Sequence, residues 1–263
     1  MAESPGAAGS IAFDRVAGEY DATRGFPPGV AEQVADLFAR AGGLSPGSRV
    51  LEIGIGTGRI ALPLASRVAR YTGADLSAPM LARLVAKRGA LPVDLVRADA
   101  TRLPFAEQRF DAVVGVHVFH LIPAWRAALR AAERLLRPEG LLLHGGDDHM
   151  RGPEWRRWRD RVEERGSAPN VGVPRARIES FPEDEGWRQA GVHRIRFMRR
   201  LRPRAMLDLV ARRSWSMTWR MDDAELAYAV ESLRSDLIDA YGDLEREVEI
   251  DAGFWVRAYR PPT

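Results

Sequence analysis

VLEIGIGTGRIALPLASR, residues 50–67, runs from a short apolar stretch into a glycine loop and out into a helical pattern. A strand, a glycine turn and a helix in that order place a ligand at the strand's C-terminal end. Which ligand depends on the residues between the glycines. A dinucleotide fingerprint needs a third small residue so that helix and strand pack closely beneath the pyrophosphate, and here Arg59 stands in that place. A phosphate-cradling P-loop needs Gly-Lys-Ser/Thr, and the loop has no lysine. What fits is Glu52-x-Gly54-x-Gly56-x-Gly58, an acid followed by three alternating glycines. Glycine lets the backbone take positive φ and approach a ligand closely. The acid beside it suits a ligand carrying an ammonium or sulfonium.

Away from the loop, short apolar runs (RVLEIG, RYTGAD, VDLVRAD, FDAVVGVHV, GLLLHGG) alternate with helical segments over residues 48–146. That alternation predicts an α/β fold, a Rossmann-like doubly wound sheet. Before it, PPGVAEQVADLFARAGG sets Val30, Val34, Leu37 and Phe38 at helical spacing between proline and glycine signals. Pro63 is expected inside the helix after the loop, where it removes a hydrogen bond. After residue 150 come a charged helix and a Pro- and Gly-rich stretch. HRIRFMRR then alternates like a strand, two further helices follow, and VEIDAGFWVRAYR closes the chain as an antiparallel last strand. The expected segmentation is a tail and covering segment at 1–28, a binding core at 29–149 and a mostly helical cap insertion at 150–191. Residues 192–263 are expected to complete the sheet and an acceptor pocket.

Composition removes several chemistries. No cysteine is present, so thiolate nucleophiles and Cys-ligated zinc or iron–sulfur sites are excluded. No apolar run approaches the roughly 20 residues of a membrane helix, and MAESPGAAGS lacks the basic and apolar blocks of a signal peptide. A cytoplasmic location without membrane attachment is expected. The charge is +3, carried by arginines with Lys87 the only lysine.

The loop, taken with the residues downstream, resembles motif I of the class I S-adenosylmethionine-dependent methyltransferases. The resemblance covers residues 48–146 and implies S-adenosyl-L-methionine as cofactor and S-adenosyl-L-homocysteine as product. It places Glu52, Gly54, Gly56 and Gly58 in the cofactor loop. In YTGADLSAPML it implies Asp75 as the acid on the ribose hydroxyls, with Leu76 and Met80 flanking the adenine; as lone hydrophobes these two read equally as core. The competing reading of Asp75 is a residue that merely precedes a helix capped by Ser77. In VRADATRLPF it implies Asp99 on the adenine amino group and the Ala100 N–H on a ring nitrogen; otherwise Asp99 is a turn aspartate. Val116 ends the fourth strand at the same edge. FDRVAGEYDATRGFP resembles the segment that folds over the cofactor in the small-molecule branch, with Tyr20 beside the methionine portion and Arg24 reaching a carboxylate. The alternative is an amphipathic helix with Arg24 in solvent. GTGRIALPLA, VHVFHL and a tryptophan-bearing helix after the fifth strand extend the likeness to stand-alone bacterial members of the type-11 group, many without an assigned substrate.

Methyl transfer needs alignment, water exclusion and, for a protonated acceptor, a base. His117, His120, His144 and His149 lie near the ends of the fourth and fifth strands, and His117 and His120 are the candidates for orienting the acceptor or taking its proton. A hydrogen-bonded structural role is the alternative for each. Asp147 and Asp148 lie nearby, but no familiar metal spacing appears, so no metal is expected. Trp155, Trp158, Trp187, Trp215 and Trp219 either line a pocket or pack the cap. HRIRFMRRLRPRAMLDLVARR carries eight arginines against Asp208, either an anion-attracting patch or a solvated face. The expected function is methylation of a small-molecule acceptor at O, N or C by a monomer or homodimer, with nucleic acid not the expected partner. An RNA methyltransferase using the arginine cluster, or a non-catalytic S-adenosylmethionine-binding regulator, are the alternatives.

Overall fold

The structure is a computed structural model that describes residues 13–14, 17–148, 152–165 and 172–262. Seven strands form one sheet: β1 (Arg49–Ile53), β2 (Arg70–Asp75), β3 (Val93–Arg97), β4 (Phe110–Val116), β5 (Leu136–Asp147), β6 (Arg188–Leu201) and β7 (Val248–Arg260), in the order β3-β2-β1-β4-β5-β7-β6. The first five are parallel and the last strands antiparallel, as expected. Order reverses beside β1, and this topological switch point is where an open α/β sheet binds its ligand.

The helices are α1 (Tyr20–Arg24), α2 (Val30–Gly42), α3 (Ala61–Ala65), α4 (Ala78–Arg88), α5 (Trp125–Leu135), α6 (Pro153–Glu164), α7 (Phe181–Asp184), α8 (Pro203–Ala211) and α9 (Asp223–Tyr241). In α2 the expected apolar face, Val30, Val34, Leu37 and Phe38, is buried. Pro63 is the middle residue of the five-residue α3, as expected inside the helix: Leu62 and Leu64 on either side donate to the Gly58 and Ile60 carbonyls at 2.9 and 3.3 Å, and proline omits the bond between them. The proline shortens the element and is tolerated by it.

The described residues divide into two compact units. One comprises those within Met1–Gly146, Val171–Ile195 and Trp255–Thr263, and the other those within Asp147–Asn170 and Arg196–Phe254. The division differs from the expected segmentation: residues 172–191, expected in the cap, belong with the binding core. The reason is packing. Val173, Phe181 and Trp187 join Leu51, Ile53, Val113, Phe119, Leu142 and Tyr259 in one core. The second unit has its own core of Trp155, Trp158 and Trp215 with Leu207, Val210, Leu233 and Leu237. There the indoles of Trp155, Trp158 and Trp215 pack with centroids 5.6–6.2 Å apart, and Trp158 donates to the Ala229 carbonyl at 2.7 Å. Trp219 donates to the Arg213 carbonyl at 2.7 Å. These side chains hold the units together internally, the packing alternative of the two readings.

Candidate active site

Five parallel strands end at Ile53, Asp75, Arg97, Val116 and Asp147, and the loops after the first four build the site. Gly54, Gly56 and Gly58 all take positive φ, at 71°, 55° and 83°. The loop is pinned to β2, with Gly54 and Ile55 donating to the Ala74 carbonyl at 2.8 and 3.2 Å. Two of its glycines are required by the protein's own packing. A Cβ on Gly54 would meet Val118 Cγ2 at 2.5 Å, and one on Gly58 would overlap Leu84 Cδ1. Gly56 is different: its Cβ would touch only Met80 Cε, at 3.4 Å, and its own loop.

Asp75 closes β2 against this loop. One carboxylate oxygen accepts the Gly56 N–H at 2.8 Å and the other accepts the Ser77 N–H at 2.8 Å. Both readings of Asp75 therefore hold together: it braces the turn before α4, whose N-terminus Ser77 caps through Met80 N–H, while each oxygen keeps a further lone pair. Burial raises its pKa, against the lowering effect of those N–H groups. Leu76 is half-buried and Met80 buried beside it. The Leu76 carbonyl is fixed by Arg97 Nε at 3.0 Å.

Asp99 follows β3. Its Oδ1 accepts both the N–H and the hydroxyl of Thr101 at 2.8 Å, a turn-aspartate arrangement. Its Oδ2 is buried and meets no hydrogen-bond donor among the described residues. Leaving a buried carboxylate oxygen unpaired is costly, so an orphan of this kind calls for a partner. Ala100 beside it is buried.

Glu52 departs from the expectation of a charge offered at the loop. It is 2% exposed, lies within the sheet and accepts the Tyr71 hydroxyl at 2.8 Å. Burial pushes its pKa up to about 8, with Asp75 adding and Tyr71 and Arg59 opposing. At neutral pH it is a neutral floor under the loop.

Past β4 the chain turns through His117, which takes a left-handed φ of 51°, into a single 3-10 turn, Phe119–Leu121, that carries His120. Such a conformation is uncommon for a non-glycine residue and is concentrated at functional turns. Burial lowers the His120 pKa to about 3, helped by His117, Arg24 and His144. His144 is instead structural. It is 2% exposed, its Nδ1 lies 3.1 Å from the Gly115 carbonyl and its Nε2 2.8 Å from that of Ile178, and burial lowers its pKa to about 4. His149 lies outside the described residues.

The N-terminal segment is fastened by residues the sequence did not single out. Asp21 accepts the Thr57 hydroxyl of the glycine loop at 2.6 Å and pairs with Lys87 of α4 at 2.7 Å. Asp14 accepts the Ser77 hydroxyl, and Arg59 lies 3.9 Å over the Phe26 ring. Arg59, which breaks the dinucleotide pattern, thus has a packing role. Tyr20 is half-buried, edge-on to Phe13 at 6.1 Å. The one available signal was the solitary Lys87.

The arginine-rich region is largely neutralised. Arg194 pairs with Glu179, Arg196 with Asp251, Arg200 with Glu249, Arg204 with Asp208 and Arg213 with Asp223. Among the described residues no helix is long and apolar enough to cross a membrane.

Residues 51–144 match the family model described as a methyltransferase domain. Over 115 residues the chain is 39% identical to the fatty-acid O-methyltransferase of Mycolicibacterium smegmatis, covering 42% of each chain. Over 132 residues it is 35% identical to the demethylmenaquinone methyltransferase of Renibacterium salmoninarum, covering 50% of this chain and 55% of the other. It therefore spans about half the length of these relatives. The fold resembles that of Haemonchus contortus phosphoethanolamine N-methyltransferase 2, solved with phosphomonomethylethanolamine and S-adenosylhomocysteine, with a TM-score of 0.56 at 20% identity over 95% of this chain and 58% of the other.

Proposed function

We propose that the chain, whose residues 51–144 match the methyltransferase-domain model, is a class I S-adenosylmethionine-dependent methyltransferase of the type-11 group that methylates a small-molecule acceptor. The residues present fit an adenosyl cofactor. Asp99 Oδ2, buried and without a donor among the described residues, matches the exocyclic amino group of adenine, and this observation carries the reading. Ala100 offers its N–H to the ring, and Leu76 and Met80 offer apolar surface to the base. Asp75 has lone pairs left for the ribose hydroxyls. Gly56, whose added Cβ would meet only Met80 Cε and its own loop, offers backbone to the amino-acid portion. Tyr20 covers that portion from the N-terminal segment.

When bound, S-adenosylmethionine supplies an electrophilic methyl group on a sulfonium. The chain's work is to hold, orient and keep dry. His120 is too weak a base to take a proton near neutral pH, so it orients the acceptor through hydrogen bonding, and His117 is the residue left for proton transfer. The two curated relatives act on small molecules by name, and the acid-paired arginines of β6 and α8 favour a small acceptor over RNA. A monomer or homodimer in the cytoplasm completes the proposal.

Calorimetry tests it. The protein should bind S-adenosylhomocysteine, and Asp99→Asn, which turns a donor toward the adenine amino group, should weaken that binding by about tenfold or more. Absence of heat with S-adenosylhomocysteine and S-adenosylmethionine, together with heat on adding NAD, would reverse the assignment.

A further inference from the structure

Independently of the methyltransferase reading, we propose that a cavity at the opposite end of the sheet from the glycine loop binds a small aromatic carboxylate. The cavity holds about 340 Å³. Its walls include Arg70 and Thr72 of β2, Asp94 of β3, Phe105 and Arg109 of the connection into β4, and Phe110 at the start of β4. Arg70 begins β2 and Asp75 ends it, so a rise of ~3.3 Å per residue sets the two about 17 Å apart. The cavity is thus a separate place from the crevice at the strands' C-terminal ends.

Its outer wall is held in position. Arg134 of α5 donates to the Leu103 and Phe105 carbonyls at 3.3 and 3.1 Å, and the Gln108 and Arg109 N–H groups donate to the Arg134 and Leu135 carbonyls at 3.0 and 2.9 Å. The inner wall carries an unsatisfied group. Thr72 is only 7% exposed, yet its hydroxyl makes no hydrogen bond among the described residues. A largely buried hydroxyl without a partner is costly, so this one calls for a partner from whatever fills the cavity it lines. Thr72 shares a sheet face with Arg70, two residues before it, and stands in register with Asp94.

The charges select the head group. Arg70 Nε pairs with Asp94, whereas the Arg109 guanidinium has no ion pair among the described residues. Two guanidiniums against one carboxylate leave a single positive charge along the walls. A monoanion balances it, and a dianion would meet Asp94 uncompensated. A guanidinium fork matches a carboxylate in two hydrogen bonds, and the Thr72 hydroxyl adds a third donor. The apolar part of the lining selects the body. The Phe105 and Phe110 rings lie edge-on with centroids 5.4 Å apart, and Pro104 and Ala106 add to their surface. A flat ring packs well on such a wall, and the volume lies at the small end for ligand sites, which suits a single-ring acid.

Benzoate, benzyl alcohol and benzylamine share one ring and differ in the head group. Each is titrated into the full chain while backbone amide NMR shifts are followed. Benzoate should bind at least about fivefold tighter than the other two and move the amides of Thr72, Phe105 and Arg109. Arg109→Gln should weaken benzoate about fivefold or more, and Thr72→Val about threefold. Because the hydroxyl has no partner within the described chain, Thr72→Val should keep or raise the melting temperature. A lowered one would show that the hydroxyl serves the fold, and would overturn its assignment to a ligand. Saturating S-adenosylhomocysteine should leave benzoate affinity within about twofold, given the ~17 Å between the sites. Absent benzoate shifts, equal binding of the three probes, or an Arg109→Gln protein with undiminished benzoate affinity each overturns the proposal. So does loss of benzoate binding on adding S-adenosylhomocysteine, which would put benzoate in the crevice at Asp75. A chain that fails to bind S-adenosylhomocysteine sinks the methyltransferase reading alone, and the benzoate titrations still decide this one.

Discussion

The glycine-loop side and the histidine side of the site are built from opposite materials. On the first, backbone and acids do the work: Gly54, Gly56 and Gly58 bend the chain, Asp75 holds two of its N–H groups, and Asp99 presents a buried oxygen. On the second, the chain turns through His117 at a left-handed φ into the 3-10 turn that carries His120. A ligand common to a whole family leaves fixed spacings in the sequence, since backbone geometry admits few solutions. A ligand that differs between members leaves only residue types, whose meaning appears when their neighbours are known.

The largest expected effect strikes the loop from the packing side. Gly58→Ala would drive a methyl group into the buried Leu84 at a φ of 83°, and should cost ~2–4 kcal/mol of stability, read as a lower denaturant midpoint. Gly56→Ala is the control within the same loop. Its neighbour Met80 Cε would stand at an ordinary contact of 3.4 Å, so it should cost only ~1 kcal/mol from backbone strain and report instead as weaker S-adenosylhomocysteine binding. If both variants lose stability equally, the loop is a structural turn and the division between its glycines fails.

Next in size is Asp75→Ala. It strands the Gly56 and Ser77 N–H groups, so stability should fall by ~1–3 kcal/mol and cofactor-product affinity by about tenfold or more. A loss of stability with unchanged affinity would show that bracing is the residue's whole purpose.

These contrasts mark what could be read from sequence. The parallel sheet, its antiparallel ending and the places of Asp75, Asp99 and the glycines follow from alternation and spacing, which local chain geometry enforces. The partner of Glu52 is not legible, because a strand-end acid reads alike whether it faces a ligand or a tyrosine on the next strand. Only the placement of Tyr71 against it distinguishes the two. The fastening of the N-terminal segment through Asp21, Thr57 and Lys87 joins residues 36 and 66 positions apart, and no periodicity encodes such a meeting. The tryptophans of the second unit likewise reveal their partners only when packed.

Glu52 supplies a smaller effect of definite sign. Its folded-state pKa is raised to about 8, so between its ordinary value of 4.5 and 8 the folded chain keeps a proton that the unfolded chain releases. Stability contributed by the neutral acid is complete below about pH 4.5 and is lost as pH rises toward 8. His144 acts in the opposite direction. Its pKa is lowered from 6.5 to about 4, so stability falls as pH drops through that range. Glu52→Gln keeps an acceptor for the Tyr71 hydroxyl and removes the alkaline penalty. Its melting temperature should exceed that of the wild type at pH 8 and converge with it at pH 5. An unchanged alkaline limb would mean that the carboxyl is ionised in the folded chain, and the glycine side would then carry the charge first expected there.

The smallest effect on the cofactor comes from the histidine side. His117 stands next to Val116, at the same strand edge as the cofactor loop, so proximity alone predicts that removing it disturbs both ligands. The division of labour predicts otherwise. Among the described residues, Asp75, Asp99 and the glycine loop are fixed by hydrogen bonds to Gly56, Ser77, Thr101 and Ala74. Replacing its left-handed φ residue with alanine costs ~1 kcal/mol at most beyond the strain already present. His117→Ala should therefore bind S-adenosylhomocysteine within about twofold of the wild type while turnover on an accepted substrate falls, by ~100-fold if it transfers a proton and by far less if it only orients the acceptor. Equal losses in cofactor affinity and turnover would merge the two sides into one.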